Sequence, residues 1–490
     1  MRRAVFLSLF FSLASIALAG EETAQTDSVQ SERVLRLTIG TAIQMALAKN
    51  FQIQVESYSP LIAREGVTQA LGRFDPTLGV TYLRDEDTVR GPGGGTTGND
   101  VVNVGISGLT PLGTSYNLGT NLSGTRGLNG GSDIANANTA FGLTQPLLRG
   151  FGTAATLAPV RIARRNVEIS EWVLRAQITD VVTTIYYTYN ELVFARENLR
   201  VAEQSESLAQ QLLDENTRRT QIGTMTPLDI TTARAEAAKR REDVILAGGS
   251  VRDNEVLLTQ LVTDHLETML DVRVDIAPLP SPVLHANTLA GIRDALATRP
   301  DYREALLNIE KQHITVAFQR NQALPQLDLT GSLNLLGVDR TFINSFNSAL
   351  SRDETRWSAG AVFSLPIPNR SARGALNAAK LTAAQQLVDL KRLEQEIVVR
   401  VDNAARGINN AHQRIVSTAE SSVLARESLE AGEQKLRAGT ATTYEVLQLQ
   451  RDFATAQLAE ARARADYNKA VAEFDRQTGT TLERNRISLQ

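Results

Sequence analysis

The sequence predicts a mainly α-helical fold that carries a membrane β-barrel, built from one unit of helix, strands and long helical hairpin used twice. Three observations lead there. Short motifs recur in the same order in both halves of the chain. Several segments alternate apolar with small polar residues at a period of two. Two stretches, 156–221 and 370–437, repeat apolar residues at threes and fours with no proline beyond the first turn. About 66 residues of helix at ~1.5 Å each reach roughly 100 Å, more than a compact core needs.

The duplication sets the organisation. ALAKN (46–50) matches ALATR (295–299), and at the same offset Pro76 and Leu78 fall on Pro325 and Leu327. QIGTMTPLDI (221–230) matches RAGTATTYEV (437–446), placing Gly223 on Gly439 and Thr224 on Thr440. TQPLLRG (144–150) resembles SLPIPNR (364–370). The two copies are read as 36–275 and 287–480, joined by a Pro-rich linker at 276–286. Residues 1–19 read as a cleaved secretory signal: Arg2 and Arg3, an apolar run, then Ala17-Leu18-Ala19. A flexible lead is expected at 20–35 and a tail at 481–490.

Composition narrows the function. Lys and Arg total 51 against 54 Asp and Glu, which argues against nucleic-acid binding by bulk charge. Cysteine is absent, so disulfides, thiolate metal sites, cysteine catalysis and lipid attachment to an N-terminal cysteine are excluded. His265, His285, His313 and His412 share no metal spacing, so neither a metal nor a cofactor is expected. No H-E-x-x-H, G-x-S-x-G or phosphate-binding loop is present, and no catalytic residue is assigned.

Each unit opens with a helix, 38–71 or 288–322, capped by Thr38 or Asn287. Strands follow, within 77–145 in the first copy and 326–366 in the second. In 327–335, Leu327, Leu329, Leu333 and Leu335 oppose Asp328, Thr330, Ser332 and Asn334. The segments 77–83, 101–107, 116–123, 139–145 and 357–365 alternate in the same way. Their polar faces are mostly small and uncharged and their loops Gly- and Asn-rich (86–100 and 124–137), as suits a water-filled barrel with long outer loops. Strands 101–107 and 116–123 flank Thr110-Pro-Leu-Gly-Thr114 and read as a hairpin inserted in the first copy. Long helical hairpins close each unit at 156–270 and 370–479, with return helices from 226 and 441.

An oligomer follows from the physics. Four to six strands cannot close a barrel, since the smallest have about 8. An open edge in lipid leaves backbone groups unpaired, so several chains must close one barrel together. Their helical hairpins would form a second barrel on the same axis.

The chain resembles the TolC family of outer-membrane efflux proteins along nearly its whole mature length. The carriers are the duplication, ALATRPDY (295–302), TQPLLRG (144–150), and the tips RRTQIGTMTPLDITTARAE (218–236) and LRAGTATTYEVLQ (436–448). The resemblance implies a homotrimer whose outer-membrane β-barrel continues into a periplasmic α-helical barrel. It implies the exit duct of a tripartite efflux pump or type I secretion system, working with a periplasmic membrane-fusion adaptor and an inner-membrane transporter. Lipid is the other partner, and nucleic acid is not one.

Site residues carry over by position. Two family acids, three residues apart, ring the periplasmic entrance; here those positions hold Glu445 and Gln448. An acid involved in holding the entrance closed falls at Asp229, while its basic and tyrosine partner positions hold Ala441 and Leu436. The resemblance thus implies a lock that is missing here or built differently. Gly223, Thr224, Gly439 and Thr440 form the tips that family adaptors grip. Family members contribute four strands per chain, so the six segments here leave the place of the inserted hairpin open. A periplasmic coiled-coil adaptor or structural protein without a pore is the competing expectation, with one hairpin and no alternating strands.

Overall fold

The computed structural model describes residues 33–88, 96–127, 133–223, 225–265, 272–280, 286–352 and 354–488. The expected signal, nearly all of the lead, the loop tip Gly91–Gly95, Thr224, His285 and the last two residues of the tail lie outside them.

The first copy begins with strand β1 (Arg33–Leu37), then α1 (Ile39–Lys49) and α2 (Phe51–Leu71). The one helix expected over 38–71 is two. Asn50 leaves the helical region, and its carboxamide accepts hydrogen bonds from the N–H groups of Gln52 and Ile53, capping α2. In the second copy α6 (Thr288–Thr298) and α7 (Pro300–Gln322) part at Arg299, which Pro300 holds extended. Both breaks fall at the ALAKN/ALATR motif. Thr38 and Asn287 cap α1 and α6, accepting from the Thr41 and Ala290 N–H groups.

Between these helices and the long hairpins lies one antiparallel sheet. Its strands are β2 (Thr77–Thr88), β3 (Thr96–Leu109), β4 (Ser115–Gly127), β5 (Ile134–Pro146), β7 (Gln326–Asp339) and β8 (Glu354–Ser364). The order is β2-β3-β4-β5-β7-β8, so the inserted hairpin takes the second and third places in the sheet. The strands run 11 to 14 residues and extend into 86–88, 96–100 and 124–127, which the sequence reading gives to loops. Ladder pairing outweighs the Gly and Asn content there. Register keeps like with like. Leu78, Ile106, Leu118, Phe141, Leu333 and Trp357 form one row across all six strands, and Thr81, Asn103, Asn121 and Asn138 form a row on the opposite face.

The long helices are α4 (Ala158–Gln221, 64 residues), which follows a single turn α3 (Thr153–Thr156), and α9 (Arg370–Arg437, 68 residues). They return as α5 (Pro227–Val262) and α10 (Thr443–Thr478), and α11 (Thr481–Arg484) lies in the expected tail. The first return ends at Val262, residues 266–270 of the expected helix lie outside the described residues, and the next described element is β6 (Val272–Ile276). β6 pairs in parallel with β1. Residues 33–37, read largely as flexible lead, are therefore ordered; a two-stranded ladder 239 positions apart in sequence leaves no local signal. Leu37, Val274, Ile43, Ile185, Tyr189 and Leu258 share a core where this ladder and α1 pack on α4 and α5. One more element was not expected: α8 (Phe342–Ser351) joins β7 to β8 and packs on the sheet.

Candidate functional site

Two regions carry functional geometry: the hairpin tips, and the sheet with its two contrasting faces. At the second tip α9 ends in a glycine turn. The N–H of Gly439 donates to Leu436 O at 3.1 Å and that of Thr440 to Lys435 O at 2.9 Å, with Gly439 at φ +76°. Gly223 holds φ +80° at the first tip. Only glycine takes this left-handed turn without strain, so both glycines are set by turn geometry.

The acids after each turn lie in matching positions. Thr442 N-caps α10, and the Glu445 carboxylate accepts the Thr442 N–H at 3.0 Å. Thr226 does the same for α5, with Asp229 accepting its N–H at 3.0 Å and its hydroxyl at 2.7 Å. These are capping boxes, T-P-L-D and T-T-Y-E. The sequence signature was present and sequence reasoning passed over it. Glu445 and Gln448 sit on one exposed face of α10, and Gln448 Nε2 donates to Asp452 Oδ1 at 2.9 Å. Asp452, not singled out from sequence, thus puts a second acid on that face about 10 Å further along the helix.

No cation contacts Asp229 among the described residues; its carboxylate is engaged by Thr226 alone. Leu436 is buried with Leu212, Leu429, Val446, Leu447 and Phe453, and Ala441 packs against that cluster. Leu436 and Ala441 therefore serve the packing between the tip helices and offer Asp229 no charged partner.

A different tie joins the two hairpins. Glu236 on α5 is 6% exposed and accepts from Arg451 of α10 at 2.5 and 3.2 Å and from Arg240 at 2.7 Å. The hydrogen bonds from Arg451 hold the Glu236 carboxyl below the usual carboxylate range against the opposing effect of burial. Arg219 donates to Leu436 O at 3.1 Å, and Asn216 to Thr443 Oγ1 at 3.4 Å. Further from the tip, Glu191 of α4 meets Arg462 and Lys469 of α10. Burial opposes its charge, but those two cations outweigh it and keep its carboxyl low. Tyr187 donates to Glu473 at 2.6 Å; burial first, and then that carboxylate, push its hydroxyl pKa up. Nothing in a linear pattern pairs α4 or α5 with α10, so these contacts were invisible before the fold.

The sheet's polar face carries Asn103, Asn121, Asn117, Ser332 and Ser358, with Asn121 bonded to Asn103 at 2.5 Å and Ser332 to Ser358 at 2.9 Å. Its other face exposes Leu78, Val80, Tyr82, Val104, Ile106, Leu118, Phe141, Trp357 and Phe363. The outer edges of β2 and β8 have no strand partner among the described residues. No described helix is long and apolar enough to cross a membrane.

An exposed apolar sheet face above two very long hairpins defines a membrane-channel subunit of mixed strand and helix. The outer membrane efflux protein family matches residues 42–263 and 291–480, and the chain belongs to that family. Among known proteins it is similar to the pyoverdine export outer membrane protein OpmQ of Pseudomonas putida, 25% identical over 287 residues. That match covers 56% of each chain, so it spans about half the length of the relative. The fold is similar to the Campylobacter jejuni CmeC outer membrane channel, with a TM-score of 0.70 and 16% identity, covering 90% of this chain and 86% of that one. It also matches VceC of Vibrio cholerae (TM-score 0.68, 15% identity, 90% and 96% covered). The open-state MtrE channel of Neisseria gonorrhoeae gives a TM-score of 0.64 at 18% identity, covering 94% and 96%.

Proposed function

We propose that three copies of this chain form an outer-membrane exit duct for a tripartite efflux pump or a type I secretion system. The observation that carries the proposal is the two-faced sheet with unpaired edges, set above hairpins of roughly 100 Å. In lipid both edges must be paired, and pairing β2 of one copy with β8 of the next satisfies them. Six strands from each of three copies give a barrel of the porin size class, wide enough for an aqueous lumen. The Asn, Ser and Gly face lines that lumen and the leucine and aromatic face meets lipid. The helical hairpins continue the duct into the periplasm.

The tips form its entrance. Gly223, Thr224, Gly439 and Thr440 present the turns to a periplasmic membrane-fusion adaptor, behind which stands an inner-membrane transporter. Glu445, assisted by Asp452 through Gln448, makes an acidic ring that favours cations and weakens passage of anions. The Glu236–Arg451 contact takes over the closing role that the resemblance gives to Asp229, whose partner positions hold Leu436 and Ala441 here. The chain supplies a passive conduit and no chemistry.

Conductance of the purified protein in planar bilayers tests this. Discrete pores whose cation preference falls in Glu445→Ala support it. A well-folded protein that shows no pore even when Arg451→Gln unties the hairpins refutes it.

A further inference from the structure

We infer that the cleft between α8 and the apolar sheet face holds an acyl chain of a phosphorylated outer-leaflet lipid, whose headgroup meets Arg126 and Arg340. This rests on the membrane reading above and adds a specific lipid site to it. The cleft has a volume of about 590 Å³ and is walled by Val104, Ile106, Leu118, Leu122, Phe342 and Phe346. It is continuous with the sheet face that the barrel turns to lipid, so an acyl chain is the occupant at hand.

The cleft is built rather than incidental. α8 rests on Gly124, Ala135, Ala137 and Gly337, one small residue each on β4 and β7 and two on β5. A Cβ on Gly337 would lie 2.1 Å from Ser345 O and 2.4 Å from Ala349 N, so the helix backbone touches the strand directly. Thr341 caps α8, and Asn344 Nδ2 donates to Asp339 Oδ1 at 3.3 Å. Yet Ile343, which also borders the cleft, and Leu350 one heptad on remain 66% and 51% exposed. In water that is unfavourable; at a membrane surface it is how an amphipathic helix lies.

The leaflet follows from topology. β7 starts next to α7 and ends at α8, whereas the β3–β4 turn lies at the helical end, where Gly152 N–H donates to Leu112 O at 3.1 Å. α8 therefore sits at the end of the sheet remote from the periplasmic helices, which is the outer leaflet. Arg340 lies just before the Thr341 cap of the helix, and Arg126 lies two residues beyond Gly124, which Phe342 covers. Both guanidinium groups are exposed and neither has an ion pair among the described residues. They are placed to meet lipid phosphates at the mouth of the cleft.

The test uses the full-length protein purified in mild detergent, with native mass spectrometry to count bound lipid A and dioleoyl phosphatidylglycerol added at equal concentration. Bilayer conductance is measured on the same preparations. Wild type is expected to retain lipid A in preference to the glycerophospholipid. Val104→Phe, which fills the cleft, removes it, and Arg126→Gln and Arg340→Gln each weaken it roughly fivefold. All three variants keep the pore. Equal retention of lipid A by wild type and the variants overturns the site. Equal binding of the two lipids overturns its assignment to the outer-leaflet lipid. A pore-forming wild type that binds no lipid A overturns this inference alone; a protein that neither forms pores nor binds lipid overturns the membrane reading with it.

Discussion

Arg451→Gln is the most informative change at the entrance. In the structure Arg451 gives Glu236 two charge-assisted hydrogen bonds across the two hairpins, at 2.5 and 3.2 Å. Glu236 stays paired with Arg240 after the substitution, so no isolated buried charge is created and the full penalty of about 3–5 kcal/mol for breaking a buried pair does not apply. Arg451 is itself 38% exposed, which lowers the value further. A charge-assisted contact of this kind contributes about 1.5–3 kcal/mol. If the tie exists only in the closed state, its loss moves the open–closed equilibrium by roughly tenfold to a hundredfold. Single-channel open probability reads that shift directly. Glu236→Gln and the double variant complete a cycle, whose coupling energy should reach about 1 kcal/mol or more. An unchanged open probability, or coupling within the few tenths of a kcal/mol seen for independent sites, would show that the contact survives opening or contributes nothing.

Four further outcomes follow. The folded Glu236 carboxyl lies below its unfolded value, so its stabilisation is complete at neutral pH and disappears as pH falls through the folded value; conductance should rise only in acid, below the ordinary carboxylate range, and Arg451→Gln should blunt that rise. Glu445→Ala removes the acceptor of the Thr442 N–H and should cost about 0.5–1 kcal/mol in thermal unfolding while also reducing cation preference, whereas Glu445→Gln should change selectivity with little loss of stability. Gly439→Ala, forced to φ near +76° with open space around it, should lose about 1 kcal/mol through the backbone alone, and Gly439→Asn less. Gly337→Ala should lift α8 from its seat at a cost of about 1–3 kcal/mol, seen as faster tryptic cleavage at Arg340 and Arg352.

What the sequence disclosed and what it hid divide along physical lines. Periodicities were legible because they are local: alternation in 327–335 and apolar stripes in 156–221 predict elements that the structure contains. The glycine turns were legible because two copies carry them at matching positions. α8 was not, since FINSFNSALS is short and polar enough to pass for a loop and becomes a helix against Ala135, Ala137 and Gly337. At the entrance, a resemblance could name positions but not environments. Leu436 proved to be core, and Glu445 proved to cap its own helix. Glu236, Arg451 and Asp452 look like ordinary solvated charges in a linear reading; only the side-chain contact that reaches from α10 to α5 sets the first two apart.

The β1–β6 ladder sets an order of events during biogenesis. Arg33 pairs with Val272 and Leu37 with Ile276, closing a loop of about 240 residues. Loop closure over that span costs about 5 kcal/mol, which five pairs of residues cannot offset alone. The ladder therefore forms late, after α4 and α5 have brought its two halves together. The first segment of this region to emerge during export is among the last to find its place, and until then it needs protection by whatever escorts the chain to the membrane.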